Sequence, residues 1–159
     1  MPTLIVLRHA KAVHTLGLAD LERSLTDRGR KDAAAAGDWL RAQGLLPERV
    51  LCSTSERTRE TLERLSLDAP VSYEPGIYDN DVDTLLDLIR QTGDVGTLLL
   101  IGHNPSFHQL VFDLTGSDPE TFPTSALAVI ELAGGWAETW PGAGRTTVLW
   151  TPKSGPHMS

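Results

Sequence analysis

The stretch Thr3-Leu4-Ile5-Val6-Leu7-Arg8-His9-Ala10-Lys11-Ala12 (TLIVLRHAKA) runs an unbroken apolar segment straight into an arginine and a histidine. An uninterrupted run of this length, without polar alternation, suits a strand buried on both faces. Such strands lie in parallel sheets covered by helices. A strand of this kind holds the residues at its end rigidly, so Arg8 and His9 are delivered to a defined edge of the fold.

Two further segments repeat the pattern. Val50-Leu51-Cys52 is followed by Ser53-Thr54-Ser55 and a helical stretch to about Leu65. Thr97–Ile101 is followed by Gly102-His103-Asn104-Pro105 and a helical stretch to about Leu114. Ser53 with Glu56 fits a capping box, and Asn104 before Pro105 fits an N-cap with proline in the first turn. Thr26-Asp27 open another helix to about Ala42, with Gly44 as its stop. Asn80-Asp81 open one from Val82 to about Gln91, in which Leu85, Leu86 and Ile89 recur with helical spacing. Val71–Tyr73 reads as a short strand. Leu127–Leu132 and Thr146–Trp150 read as two strands around the Gly- and Trp-rich segment 134–144. Strands alternating with helices predict a three-layer α/β/α fold on a mostly parallel sheet. The two late strands have no helix between them, which predicts an antiparallel edge strand.

With 159 residues, residues 1–152 are expected to form one domain. Residues 153–159 read as a flexible or vector-derived tail. The net charge is −7 and no basic block stands out, which argues against nucleic acid or an anionic membrane as partner. A single cysteine, Cys52, excludes an internal disulfide and a thiolate metal centre. No secretory signal or membrane span is visible, so a cytoplasmic protein is expected. His9/His14 and His103/His108 are each five residues apart, off a common helical face, so neither a metal nor another cofactor is expected. Oligomeric state is left open.

In α/β sheets, ligands bind beyond the C-terminal strand ends. The three junctions therefore bring Arg8, His9, Arg57 and His103 together with two helix starts. Guanidinium forks and helix N-termini suit a phosphoryl group. Taken singly, each residue also has a structural reading. Arg57 sits where it would pair with Glu56, Glu60 or Glu63, and His103 would serve as a satisfied core histidine.

Four motifs in order resolve the choice. LRHAKA resembles the Arg-His-Gly motif of the histidine phosphatase superfamily, whose fold is phosphoglycerate mutase-like. Arg23-Ser24-Leu25-Thr26-Asp27-Arg28-Gly29 is similar to its R-x-L-T-x-x-G element. Residues 53–61 are similar to S-P-x-x-R-A-x-Q-T, and Ile101–Pro105 to the late histidine element. The short chain without a cap insertion resembles the SixA-type phosphohistidine phosphatases. Ala10 stands where the family has Gly, and Thr54 where it has Pro.

The resemblance implies that His9 is the nucleophile and forms a phosphohistidine enzyme. It also implies that Arg8, Arg57 and His103 hold the phosphoryl oxygens, with Arg23 at the pocket mouth. Asp79 is the candidate general acid, with Glu74 and Asp81 behind it; Lys11 reads as peripheral. The implied partner is a phosphohistidine-bearing protein or a small phosphorylated molecule. The alternatives are a small-molecule phosphomonoesterase of the same superfamily and a non-catalytic phosphate-binding module. A cysteine phosphatase needs C-x5-R, whereas Cys52 and Arg57 are spaced C-x4-R, with Cys52 inside a strand. Thiol alkylation is therefore expected to leave phosphatase activity intact, which an aryl phosphate assay before and after treatment will show.

Overall fold

The computed structural model describes residues 1–158. Its seven strands form one sheet, in the order β3-β2-β4-β1-β5-β6-β7. They are β1 (Thr3–Arg8), β2 (Arg49–Cys52), β3 (Val71–Tyr73), β4 (Thr97–Gly102), β5 (Leu127–Leu132), β6 (Gly144–Thr151) and β7 (Gly155–Met158). The first four strands pair in parallel, and β5, β6 and β7 add antiparallel pairings.

The β1 run is apolar throughout because both of its faces are covered. Leu4, Ile5, Val6 and Leu7 are fully buried. Alternation along the strand divides them between two cores. Ile5 and Leu7 pack with α1 (Asp27–Ala42) and α2 (Glu56–Leu65). Leu4 and Val6 pack with α4 (Val82–Arg90) and α5 (Ser106–Thr115). A single turn of helix, α3 (Pro75–Tyr78), precedes α4. The expected helices appear within a residue or two, and Thr26 caps α1 by accepting from the Gly29 amide.

Three local expectations are corrected. Ser55 caps α2 instead of Ser53, accepting from the Thr58 amide; Ser53 is drawn into the site described below. Pro105, not Asn104, occupies the cap position of α5, and the Asn104 side chain accepts from the His108 amide one turn on. Residues 155–158, read as tail, form β7 on the free edge of β6. A β6 edge alone would leave a row of backbone groups unpaired, and β7 satisfies them.

The segment 134–144 turns back over α4. Trp136 is buried, with its indole N–H donating to the Val95 carbonyl at 2.7 Å. Trp140 is exposed and lies beneath the Arg90 guanidinium. This segment closes the hydrophobic core at the far end from the strand tips that carry the motif residues.

Gly29, in the first turn of α1, meets the segment after β1. A Cβ there would run into the Lys11 carbonyl, which also accepts the Thr26 amide at 2.9 Å. Glycine is thus required by backbone approach, not by its φ angle. Gly29→Ala is expected to cost about 1–3 kcal/mol, measured by urea unfolding.

Candidate active site

The tips of β2, β4 and β1 are neighbours in the sheet. The His9 amide donates to the Gly102 carbonyl, and the Ser53 amide to the Ile101 carbonyl, each at 3.0 Å. The three sequence junctions therefore meet at one edge. They line a cavity of about 660 Å³ together with Asp20, Arg23, Tyr78 and Asn80.

His9 is held on both sides. Its carbonyl accepts the Ser125 amide at 3.0 Å, and its Nδ1 lies 2.7 Å from the Ala10 carbonyl. A carbonyl only accepts, so Nδ1 carries the proton and Nε2 keeps its lone pair. The Ala10 amide donates to Thr61 Oγ1 at 3.0 Å, and that hydroxyl donates to the Arg57 carbonyl at 2.7 Å. Thr61, the last residue of the third motif, thus couples the histidine loop to the helix that carries Arg57. Ala10 is fully buried, and its small side chain leaves that contact open.

His103 is fixed in the opposite tautomer. Its Nδ1 lies 3.4 Å from an Arg57 terminal nitrogen, which can only donate. Nε2 therefore bears the proton and donates to Ser53 Oγ at 2.7 Å. The His9 and His103 rings are 5.4 Å apart, and Tyr78 stands edge-on to His103 at 5.6 Å.

Arg8 and Arg57 face the same space. Arg8 donates to the Phe122 carbonyl at 3.2 Å, yet its Nε is buried without a partner, as is Arg57 Nε. Burial, and then the Arg57 charge, hold Arg8 below its ordinary pKa. Two like charges lining one cavity favour an anion there. Burial, chiefly, lowers His9 to about 3 and His103 to about 4, with Arg57 adding to both shifts. Both rings are therefore neutral in the free protein at neutral pH.

The structure gathers Arg8, His9, Arg57, His103 and Arg23 around the cavity and leaves Asp79 out. Asp79 is exposed at the end of α3 and lines no part of the cavity. The carboxylate in the cavity is Asp20, on a 3-10 turn (Asp20–Glu22). Its Oδ2 lies 3.0 Å from an Arg57 nitrogen and 2.7 Å from the Tyr78 hydroxyl, and its Oδ1 lies 3.1 Å from Arg23. The Tyr78 hydrogen bond, followed by those from Arg23 and Arg57, holds this carboxyl well below the usual range.

Asp27 pairs with Arg30, and Glu60 takes Arg30 rather than Arg57. Lys11 and His14 line the cavity rim, while His108 pairs with Asp118. Burial pushes the Cys52 thiol up to about 12, which removes it as a nucleophile. Asp20 had one legible signal, its i,i+3 spacing to Arg23. Tyr78 and Asn80 had none, because they enter from the end of the single-turn α3 and from the turn between α3 and α4.

Comparison with known proteins places these residues in context. The signature of the histidine phosphatase superfamily (branch 1) matches residues 4–91. An uncharacterized protein of Mycobacterium tuberculosis is 38% identical over 92% of this chain and 100% of its own length. The phosphohistidine phosphatase SixA of Escherichia coli is 32% identical over 81% of this chain and 84% of its own. A structure of the protein histidine phosphatase SixA complexed with tungstate superposes with a TM-score of 0.83 at 27% identity. It covers 95% of this chain and 97% of that one.

The two buried histidines make stability depend on pH. Unfolded, each takes a proton as pH falls through about 6.5, whereas folded neither does until far lower. The unfolded state then binds more protons, so stability is full at pH 7 and is lost as pH falls from 6.5 towards 4. Urea unfolding between pH 7 and 5 is expected to show this loss, up to about 1.4 kcal/mol per pH unit for each histidine. His9→Gln should remove about one proton from the slope.

Proposed function

As a member of the histidine phosphatase superfamily, this chain is a phosphatase, and we propose that it hydrolyses phosphohistidine through a covalent phosphoryl intermediate on His9. In this reading the Nε2 lone pair of His9 attacks phosphorus and the bond from phosphorus to the departing imidazole nitrogen breaks. Water then attacks the phosphoryl-His9 bond, phosphate leaves, and His9 returns to its neutral form. The Ala10 carbonyl favours this course because it holds the proton on Nδ1 and stabilises the cation that attack creates.

Arg8, Arg57 and His103 take the phosphoryl oxygens. Charge spreads over these oxygens in a loose transition state, so fixed donors supply most of the stabilisation. Both guanidinium groups line the cavity, which supports that role. Tungstate, bound by the SixA relative, is likewise a tetrahedral oxyanion. A proton shared with that bound anion would make His103 cationic. Arg23 is assigned to the mouth of the cavity.

The single observation that carries the choice of substrate is the state of Asp20. It is the sole carboxylate among the described residues lining the cavity, and it is held ionised by Tyr78, Arg23 and Arg57. It has no proton to give a leaving group. An alkoxide needs one; a phosphohistidine imidazole leaves with far less help. The open cavity also suits a phosphoryl group carried on a protein side chain.

A panel of phosphohistidine peptide, phosphoserine peptide and sugar phosphate tests this. Phosphohistidine should be turned over with the highest kcat/KM, and His9→Ala should lose at least ~10³-fold. Efficient cleavage of sugar phosphates with phosphohistidine left untouched would sink the reading.

A further inference from the structure

The cavity holds an internal anion that the phosphoryl chemistry does not use. We propose that Asp20 is a specificity determinant, a fixed negative charge beside the phosphoryl position that disfavours substrates with a second anionic group next to the phosphate. The proposal rests on the reading of the cavity as a phosphoryl site.

Three observations place the charge there. The first is contact with the machinery itself: Asp20 Oδ2 and its own carbonyl both engage the Arg57 fork, at 3.0 and 2.7 Å. Any anion held by Arg57 thus lies within the breadth of one guanidinium from this carboxylate. The second is anchoring from two other helices and from the residue that ends its own turn. Arg57 is on α2, Tyr78 on α3, and Arg23 follows the 3-10 turn. No residue of the 3-10 turn itself is buried, so polar bonds rather than packing hold Asp20 in position. The third is access: the Asp20 side chain is 53% exposed and lines the cavity, so an incoming group meets it.

A carboxylate here has a cost, because it also repels the phosphoryl group. Orientation of Arg57, Tyr78 and Arg23 uses both carboxylate oxygens as acceptors, which an amide with its single acceptor oxygen reproduces only in part. What only the charge adds is discrimination. Phosphohistidine presents a neutral imidazole beside phosphorus, so it suffers no added repulsion. A phosphomonoester with a carboxylate close to the ester oxygen brings a second charge towards Asp20. At roughly 7 Å and an effective dielectric near 20, with screening by physiological salt, this repulsion corresponds to about five- to tenfold in affinity.

Two non-hydrolysable ligands of matched shape isolate that term: 3-carboxyphenylphosphonate and 3-carbamoylphenylphosphonate, titrated calorimetrically into wild type and Asp20→Asn. Both carry the phosphonate charge, so the ratio of their affinities reports the second charge alone. Asp20→Asn should raise the relative affinity for the carboxylate by about five- to tenfold, and Asp20→Glu should retain the wild-type ratio. If the Asn variant melts early, Asp20→Ser, which also removes the charge, is read in the same way. A ratio within about twofold of wild type, with both phosphonates bound, overturns the proposal and leaves the phosphoryl site standing. No binding of either phosphonate to wild type overturns the phosphoryl site and the specificity proposal together.

Discussion

Arg8 and Arg57 arrive on different elements and bury their charges against one another in a single cavity. That repulsion organises the surroundings. Burial and a like-charged neighbour hold Arg8 below its ordinary pKa, and the same positive field helps keep His9 and His103 neutral. Nature's usual remedy for a buried charge is a partner. Here part of the remedy is internal, through Asp20, and part is withheld, since the Nε atoms of both arginines lack partners. The described residues that line the cavity keep a net positive charge.

Holding two cations in place requires a rigid frame. β1 provides it, being buried on both faces and bonded to β4 on one side and β5 on the other. His9 extends this frame by one residue, through its amide to Gly102 and its carbonyl to Ser125. The chain Ala10–Thr61–Arg57 then ties the histidine loop to α2, so histidine and arginine cannot drift independently. A glycine at position 29 follows from the same crowding, because the Lys11 backbone fills the space a side chain would need, and Ala10 is fully buried beside Leu25 and Ala33.

The two histidines illustrate how identical side chains acquire different roles. A carbonyl accepts from Nδ1 of His9, which leaves the lone pair on Nε2. A guanidinium donates to Nδ1 of His103, which leaves Nε2 as the donor to Ser53. Ser53 reads as a helix cap in isolation. It gives up that role to Ser55 because a buried imidazole N–H with no acceptor would cost more than a shift of two residues in the cap.

Arg8, His9, Arg57 and His103 were legible from sequence because each sits directly after an apolar strand or in the helix turn that follows it, where local pattern and the geometry of α/β sheets determine position. The helices were legible for the same reason: their caps and apolar spacing are local. Asp79 was misplaced because proximity along the chain to a turn does not say which side chains face the cavity. Asp20, Tyr78 and Asn80 belong to short turns or to the single-turn α3, without apolar periodicity, and β7 has almost no apolar pattern of its own. What the sequence determined by itself was the strand-to-basic-residue junctions and the helices that cover them, since these depend on neighbours a few residues apart. Only the tertiary structure decided which carboxylate enters the cavity, which tautomer each histidine adopts and which serine caps α2. Those choices depend on hydrogen-bond partners tens of residues away, brought together by the order of strands in the sheet.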